Sequence, residues 1–126
     1  MLNTVIIGAG PYGLSLGAHF RQTGIPFRIF GRPMDSWLAH MPKGMMLKSD
    51  GFASNLSDPN SQLSLRKFCA ERKIEYGDTG VPVRLDTFTS YGLTFPVSYT
   101  HLAARKFWAR VSLVLEATFP VLMGPK

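Results

Sequence analysis

Short apolar runs and small residues alternate over the first thirty residues, and this pattern predicts three secondary-structure elements. The β-branched, apolar run Thr4–Ile7 is typical of a central parallel strand buried on both faces. A helix is predicted over about 12–23, and Gly24 follows it as a C-terminal stop. After Pro26, the run Phe27–Phe30 predicts a second strand. The three elements form a βαβ unit, so the predicted fold class is α/β with a parallel sheet.

The hydrophobic pattern is less regular after the second strand. Prolines and glycines interrupt residues 31–60, which indicates a long excursion rather than a repeat. Ser64 is predicted to cap a helix over about 65–73, and Asp86 to cap a later one. The later helix carries three aromatic residues at helical spacing: Phe88, Tyr91 and Phe95. Residues 74–85 are predicted to form a loop with a short extended piece at its end.

The length and composition limit the class of protein. A chain of 126 residues has room for one domain, so separate cofactor and substrate domains do not fit within it. Apolar residues make up 45% and charged residues 17% of the chain, which is typical of a globular protein rather than a disordered one. The single cysteine, Cys69, shares a helical face with Leu65 and Phe68, so we expect a packed thiol.

The sequence contains no recognisable secretion signal or membrane span. Residues 1–3 lead directly into the first apolar strand, without the basic segment of a signal peptide. The apolar stretch 111–123 is interrupted by Glu116 and Pro120 and is shorter than the ~20 residues that span a bilayer. We therefore expect a cytoplasmic protein with no membrane partner.

The excess of positive charge requires a nucleic-acid partner to be considered. Fourteen Lys and Arg against eight Asp and Glu give a net charge of +6. Residues 1–96 carry ten basic and seven acidic side chains (net +3), and the last thirty residues carry four and one (also +3). No run of Lys or Arg exceeds two residues, and no nucleic-acid-binding motif is present. We therefore expect no nucleic-acid partner.

A glycine motif, Gly8-x-Gly10-x-x-Gly13, follows the first predicted strand and opens the predicted helix. The first glycine permits the tight turn, the second lets a pyrophosphate approach the backbone, and the third lets the helix pack on the strand. The N–H groups and the dipole of the helix then favour the diphosphate. We therefore predict a dinucleotide cofactor site at Gly8, Gly10, Pro11, Tyr12 and Gly13.

One element of a dinucleotide site is missing at the end of the second strand. An Asp or Glu about 20 residues after the motif usually binds the adenosine ribose. Here Phe30 is followed by Gly31 and Arg32. Two explanations remain open: the backbone near 32–34 holds the ribose, or Arg32 binds a 2′-phosphate as in an NADP site.

The other polar residues give no pattern of catalytic side chains. The sequence has no Ser/His/Asp arrangement, no metal-ligand spacing and no Walker-type loop, which argues against a hydrolase, a metal site and a kinase. His19 lies within the predicted first helix, and His40 has no carboxylate at a recognisable spacing. We interpret both histidines as structural or surface residues.

Residues 4–95 resemble the N-terminal part of the flavoprotein monooxygenases, which include flavin-containing monooxygenases and the lysine and ornithine N-hydroxylases. They are most similar to bacterial FAD-dependent oxidoreductases related to these enzymes. The segments that carry the resemblance are 5–14, 30–34, 36–37, 41–49, 58–59 and 65–73. The resemblance implies the start of a doubly wound Rossmann-type domain that binds FAD at the glycine motif. It also implies that Trp37, Lys43, Met46 and Lys48 lie near the isoalloxazine or the substrate.

The same resemblance implies an NAD(P)H-dependent flavoprotein oxidoreductase of the monooxygenase type, acting on a small-molecule substrate. The related enzymes bind the nicotinamide cofactor at a second glycine motif, and no second motif occurs in these 126 residues. We therefore expect residues 1–96 to be a partial FAD-binding domain that is inactive alone. Two alternatives remain: an NADP-binding Rossmann oxidoreductase, and a nucleotide-binding remnant without turnover.

Residues 97–126 are expected to be foreign to the natural protein. Residues 97–102 resemble one reading frame of the transposon-end adapter used to prepare sequencing libraries, and they begin where the family pattern stops. The alternative is a natural amphipathic helix over 103–116, with Phe107, Val111 and Val114 on one face.

Overall fold

The predicted βαβ unit is present in the computed structural model, which describes residues 4–99 and the side chains of residues 4–96. Strand β1 (Thr4–Ile7) pairs in parallel with β2 (Phe27–Phe30), and helix α1 (Pro11–Thr23) connects them. Residues 100–126, most of the segment expected to be foreign, lie outside the described residues.

Helix α1 begins and ends at the residues that the sequence indicates. Pro11 occupies the first helical position, where its missing N–H costs no hydrogen bond. Gly24 ends the helix in the left-handed conformation (φ +71°), and its N–H donates to the Arg21 carbonyl. The helix packs closely on the sheet at Gly17, where an added Cβ would lie 3.3 Å from the ring of Phe27. A larger residue at this position would push the helix away from β2.

The expectation that β1 is buried on both faces is wrong for the part of the chain that the structure describes. Side chains along a strand alternate between the two faces of the sheet. Ile6 and Ile29 are buried under α1, whereas Val5 and Ile7 on the opposite face are 54% and 81% exposed. No described element covers that second face.

The remaining chain forms short helices, of which α2 (Asp35–Ala39) was not predicted. A 3₁₀ turn at Gly51–Ser54 precedes α3 (Leu65–Glu71). The predicted cap of α3 is confirmed, because the Ser64 hydroxyl accepts a hydrogen bond from the Lys67 N–H at 3.1 Å. Among the described residues, no helix is both long and apolar enough to cross a membrane.

The helix predicted to follow a capping Asp86 begins two residues earlier than expected, and Asp86 is not its cap. Helix α4 spans Leu85–Gly92, with Arg84 in the capping position. The Asp86 carboxylate lies in the first turn, where it accepts hydrogen bonds from the Arg84 guanidinium at 3.1 and 3.2 Å. A local ion pair therefore takes the place of the expected cap.

Helix α5 (Thr94–Tyr99) follows α4 and packs against α1. The three aromatic residues expected on one helical face, Phe88, Tyr91 and Phe95, are all buried. The Tyr91 ring contacts the rings of Phe68 and Phe95, each with centroids 5.7 Å apart. The predicted face is therefore confirmed, although a break after Gly92 divides it between two helices.

The hydroxyl of Tyr91 connects the helices to the irregular excursion. It donates to the carbonyl oxygen of Leu63 at 2.6 Å and accepts from the N–H of Leu56 at 3.0 Å. Both backbone groups belong to the loop between the 3₁₀ turn and α3, and Leu56 itself is buried. This one side chain therefore holds much of a loop that has no regular hydrogen bonding of its own.

The predicted extended piece at the end of the 74–85 loop is present. It pairs with the excursion through an antiparallel bridge between Met46 and Arg84. The Leu47 N–H donates to the Val83 carbonyl at 2.8 Å, and the Leu85 N–H donates to the Met45 carbonyl at 2.9 Å. The bridge fixes residues 45–47 beside the start of α4.

Candidate nucleotide-binding site

The glycine motif forms the turn between β1 and α1, and two of its glycines are required by the protein itself. Gly8 has a φ of +104°, which residues with side chains rarely adopt. Its N–H donates to the Phe30 carbonyl at 2.7 Å, so the turn is fixed to the end of β2. A Cβ at Gly13 would collide with the carbonyl oxygen of Gly8. Any side chain at position 13 would therefore separate the helix from the turn.

Gly10 differs from its neighbours, because no contact within the protein requires a glycine there. Its φ of −76° is open to every residue type, and an added Cβ would meet nothing within 4 Å. The missing side chain leaves free space directly before α1. This space fits the second glycine of a dinucleotide motif, whose absent Cβ lets a diphosphate approach the backbone.

The N-terminus of α1 faces this space with donors that the helix does not use. The first hydrogen bond of the helix runs from the Leu14 N–H to the Gly10 carbonyl at 2.9 Å, so the N–H groups of Tyr12 and Gly13 precede it. No side chain caps this end, and no acidic residue lies in the first turn. The positive end of the helix dipole is therefore uncompensated and suited to an anion.

Tyr12 and Pro11 form the outer side of the same turn. The Tyr12 side chain is 93% exposed, so the fold itself does not use its ring. Pro11 has no N–H and supplies rigidity rather than a donor. The structure therefore brings the five motif residues together at one helix N-terminus, as the sequence predicted.

The segment after β2 lies against the glycine turn. Gly31 has a φ of +127°, and an added Cβ would lie 3.1 Å from the backbone nitrogen of Ala9. Three residues later, the Met34 N–H donates to the Ala9 carbonyl at 2.9 Å. Met34 is fully buried and is left-handed (φ 58°), which is unusual for a residue with a side chain.

This arrangement explains why no carboxylate follows the second strand. The usual acidic position is occupied by Gly31, whose backbone is too close to Ala9 and too strained for a side chain. The exposed Arg32 is the next residue and therefore follows directly on the turn. Sequence reasoning identified the missing acid but not its cause, because a left-handed φ depends on how the segment packs.

The remaining predicted site residues are not all brought together. Two clefts lie on either side of the bridge between Met46 and Arg84. The first, which we call the Trp37 cleft, has a volume of about 300 Å³. Its walls include Trp37, Met41, Lys43, Met45 and Leu85. The second, which we call the Thr87 cleft, has a volume of about 340 Å³ and includes Met46 and Thr87 in its walls.

The bridge itself explains the separation of the two methionines. Neighbouring side chains of an extended segment point to opposite sides, so Met45 and Met46 line different clefts. Lys48 is exposed and lines neither of them. Trp37 is only partly exposed, because its ring packs edge-on against Phe88 with centroids 4.8 Å apart. Trp37 and Lys43 thus share a cleft, and Met46 and Lys48 lie elsewhere.

No other described group forms a catalytic arrangement. The Nε2 atom of His19 and the hydroxyl of Ser57 are 2.8 Å apart, which ties α1 to the excursion, and His40 is exposed. Cys69 is buried, and this burial raises the pKa of its thiol. Within residues 4–96, no group of His, Cys, Asp and Glu is placed to hold a metal ion.

Comparison with known proteins gives one informative similarity. The chain is similar to the solved structure of the bacillithiol disulfide reductase Bdr (YpdA) from Staphylococcus aureus, with a TM-score of 0.58 and 19% sequence identity. The fold is that of a partial Rossmann-type domain. The similarity covers 78% of this chain but only 26% of the reductase, so this chain corresponds to about a quarter of its length. No family model and no curated protein matches the sequence.

Proposed function

We propose that this chain is the FAD-binding N-terminal part of an NAD(P)H-dependent flavoprotein oxidoreductase. The observation that carries the proposal is the free space at Gly10 in front of an uncapped helix N-terminus. A diphosphate fills such a space and takes hydrogen bonds from the N–H groups of Tyr12 and Gly13. When bound, FAD supplies the redox chemistry, and the chain's own residues supply binding and orientation.

The choice of an oxidoreductase is supported by two independent lines. The solved structure that shares this fold is named a disulfide reductase. The sequence segments 30–34, 36–37 and 41–49 resemble flavoprotein monooxygenases, and this resemblance is the reason for proposing a monooxygenase. The substrate and the nicotinamide cofactor are assigned to parts of a longer parent protein, because only one dinucleotide motif occurs here.

The Trp37 cleft extends the proposed site beyond the diphosphate. Helix α2 starts directly after Met34, whose N–H is hydrogen-bonded to the glycine turn. Trp37 belongs to this short helix and follows that hydrogen bond by three residues. The cleft combines an aromatic wall with the exposed Lys43. We assign it to the ring system of the cofactor or to the substrate beside it. Met46 and Lys48 lie outside this cleft, and their place near the ring system stays a prediction of the sequence resemblance.

An NADP site is the second candidate, and the placement of Arg32 favours it. Arg32 belongs to the segment fastened across the glycine turn, where the adenosine ribose of a dinucleotide lies. A guanidinium there suits a 2′-phosphate, because it presents several N–H donors in a plane. FAD remains the first proposal, because it also accounts for the resemblance of residues 33–73.

Titration of the purified 126-residue chain with FAD, NADP⁺ and ADP distinguishes the candidates. Tighter binding of FAD than of NADP⁺, with a perturbed flavin absorbance spectrum, supports the first proposal. Preference for NADP⁺ over FAD supports the second. If ADP binds as tightly as FAD and NADP⁺ do, the chain is a remnant that recognises only the nucleotide that all three ligands share. Failure of all three ligands to bind a folded chain refutes a nucleotide site.

A further inference from the structure

The Thr87 cleft lies on the opposite side of the bridge from the proposed cofactor site and has no role in it. It is enclosed by α3, by residues 74–84 and by the start of α4. Its walls are mainly apolar and include Met46, Leu65, Ile74, Val81 and Val83. At about 340 Å³, the cleft falls within the size range of small-molecule sites in proteins.

The Thr87 side chain has a buried polar atom without a partner. Thr87 is only 9% exposed and lines the cleft, and its hydroxyl makes no hydrogen bond to any of residues 4–96. Thr89, on the same helix, shows the usual arrangement: its hydroxyl donates to the Leu85 carbonyl at 3.0 Å. A buried hydroxyl without a hydrogen bond destabilises the fold, and such groups are uncommon in native proteins. A ligand in the cleft would supply the missing partner.

The charges around the cleft restrict what it can hold. The other polar side-chain groups of the wall are the thiol of Cys69, whose pKa is raised by burial, and the hydroxyl of Tyr76, which already donates to Asp78 at 2.8 Å. Glu75 and Arg84 lie at the exposed rim, and the Arg84 guanidinium is already paired with Asp86 at 3.1 Å. An anionic ligand would leave water without gaining a free guanidinium, and a cationic one would meet only the Glu75 carboxylate, which is exposed to water at the rim.

We propose that the Thr87 cleft binds an uncharged, mainly apolar small molecule that carries one hydroxyl or carbonyl group, with Thr87 as its hydrogen-bond partner. The size follows from the volume, because an apolar cavity of about 150 Å³ already takes benzene. A cleft of about 340 Å³ therefore accommodates a two-ring molecule with one polar substituent. The proposal does not depend on whether the glycine turn binds FAD.

The test uses 2-naphthol and naphthalene as probes of matched shape, with the full chain. Cys69 is the only cysteine and lines the cleft, so its rate of reaction with a thiol reagent reports occupancy. We expect 2-naphthol to slow this reaction in a saturable way, without affecting a titration with FAD. Naphthalene should protect Cys69 at higher concentrations, because it lacks the hydroxyl.

Thr87→Val tests the hydrogen bond, because valine keeps the shape and removes the hydroxyl. The affinity for 2-naphthol should fall about fivefold, the usual effect of one neutral hydrogen bond, while the affinity for naphthalene stays the same. Ser90→Ala is the matched control, because Ser90 is an exposed hydroxyl on the same helix and lines neither cleft. It should change neither affinity.

A second variant keeps the test decisive if Thr87→Val does not fold. Val81 lies in the loop wall of the cleft and is partly exposed, so Val81→Phe fills the cleft with little disturbance of the core. It should abolish protection of Cys69 by both probes. Three results would overturn the proposal. Saturating 2-naphthol could leave Cys69 unprotected, Thr87→Val could weaken the binding of both probes equally, or Val81→Phe could bind both probes as before.

Discussion

The backbone N–H of Met34 donates to the carbonyl oxygen of Ala9 at 2.9 Å, and this hydrogen bond joins the end of β2 to the glycine turn. The Met34 side chain is fully buried against α4, where a Cβ at Gly92 would lie 2.6 Å from its sulfur. The helical part of the protein therefore positions the segment that follows β2. That segment includes Arg32, so packing far along the chain controls one wall of the proposed site.

Gly31→Asp, which introduces the acid that dinucleotide sites usually carry, should destabilise the protein rather than improve binding. A side chain at φ +127° is strained, and its Cβ would press on the Ala9 nitrogen. We expect the free energy of unfolding to fall by about 1–3 kcal/mol. Denaturant titration measures this loss, with Gly24→Asp as the control. Gly24 is left-handed at φ +71° with open space around it, so its substitution should cost less. Equal losses at both positions would contradict this account.

Gly10→Val should separate binding from stability. An added Cβ meets no protein atom within 4 Å at this position, so we expect the free energy of unfolding to change by about 1 kcal/mol or less. Its branched side chain occupies the space assigned to the diphosphate, so FAD and NADP⁺ should no longer bind. Calorimetric titration of the folded variant measures the loss. Ala70→Val, at an exposed position of α3, is the matched control and should bind normally. Undiminished FAD binding by Gly10→Val would remove the glycine turn from the site.

Arg32→Ala should have little effect on FAD affinity, because FAD carries no 2′-phosphate. If the natural ligand is instead NADP, the same change should weaken NADP⁺ binding by about 1.5–3 kcal/mol, as expected for a hydrogen bond to a charged group. NAD⁺ serves as the control ligand, because it differs from NADP⁺ by that phosphate alone. A large loss confined to NADP⁺ would reverse our order of preference.

Tyr91→Phe should destabilise the protein without affecting the nucleotide site directly. The change leaves the Leu63 carbonyl and the Leu56 N–H without the Tyr91 hydroxyl. Loss of a buried hydrogen bond of this kind costs about 1–3 kcal/mol. Thermal and denaturant unfolding measure the loss. Tyr12→Phe is the control, because the Tyr12 hydroxyl is exposed and its removal should change stability by about 0.5 kcal/mol at most.

The ion pair at the start of α4 predicts a pH dependence with a defined sign. The hydrogen bond from Arg84 lowers the pKa of the Asp86 carboxyl, so the folded state favours its ionised form. The resulting stability is present above the ordinary carboxyl pKa of about 4 and is lost as the pH falls through the lowered value. Because the pair is exposed, the effect is small. Asp86→Asn should therefore be less stable than the natural chain at pH 7 and equally stable at pH 2. A difference that persists at pH 2 would show that the ion pair is not its cause.

The sequence was a good guide where structure depends on neighbouring residues. The βαβ unit, the cap at Ser64 and the placement of Gly8, Gly10 and Gly13 follow from local patterns that span a few residues. The clustering of the motif at one helix N-terminus also follows, because strand, turn and helix are consecutive.

Features that depend on distant contacts were not predictable in the same way. Burial of both faces of β1 requires a covering element, and none is present among the described residues, so Val5 and Ile7 are exposed. The bridge at Arg84 separates Met46 from the Trp37 cleft, and no local pattern indicates which face a lone bridge presents. The cap expected at Asp86 is a different case, because its competitor is local: the guanidinium of Arg84, two residues earlier, donates to the Asp86 carboxylate.

The hydroxyl of Tyr91 also sets the order in which the chain can acquire its structure during synthesis. The βαβ unit pairs residues within the first thirty positions, so its contacts become available early. The hydrogen bonds of Leu56 and Leu63 must wait for a tyrosine that leaves the ribosome 35 and 28 residues later. The loop before α3 is therefore completed only when α4 has emerged. Until then, the backbone groups of Leu56 and Leu63 lack this partner, and the loop stays open in the way that makes partly folded segments accessible to proteases.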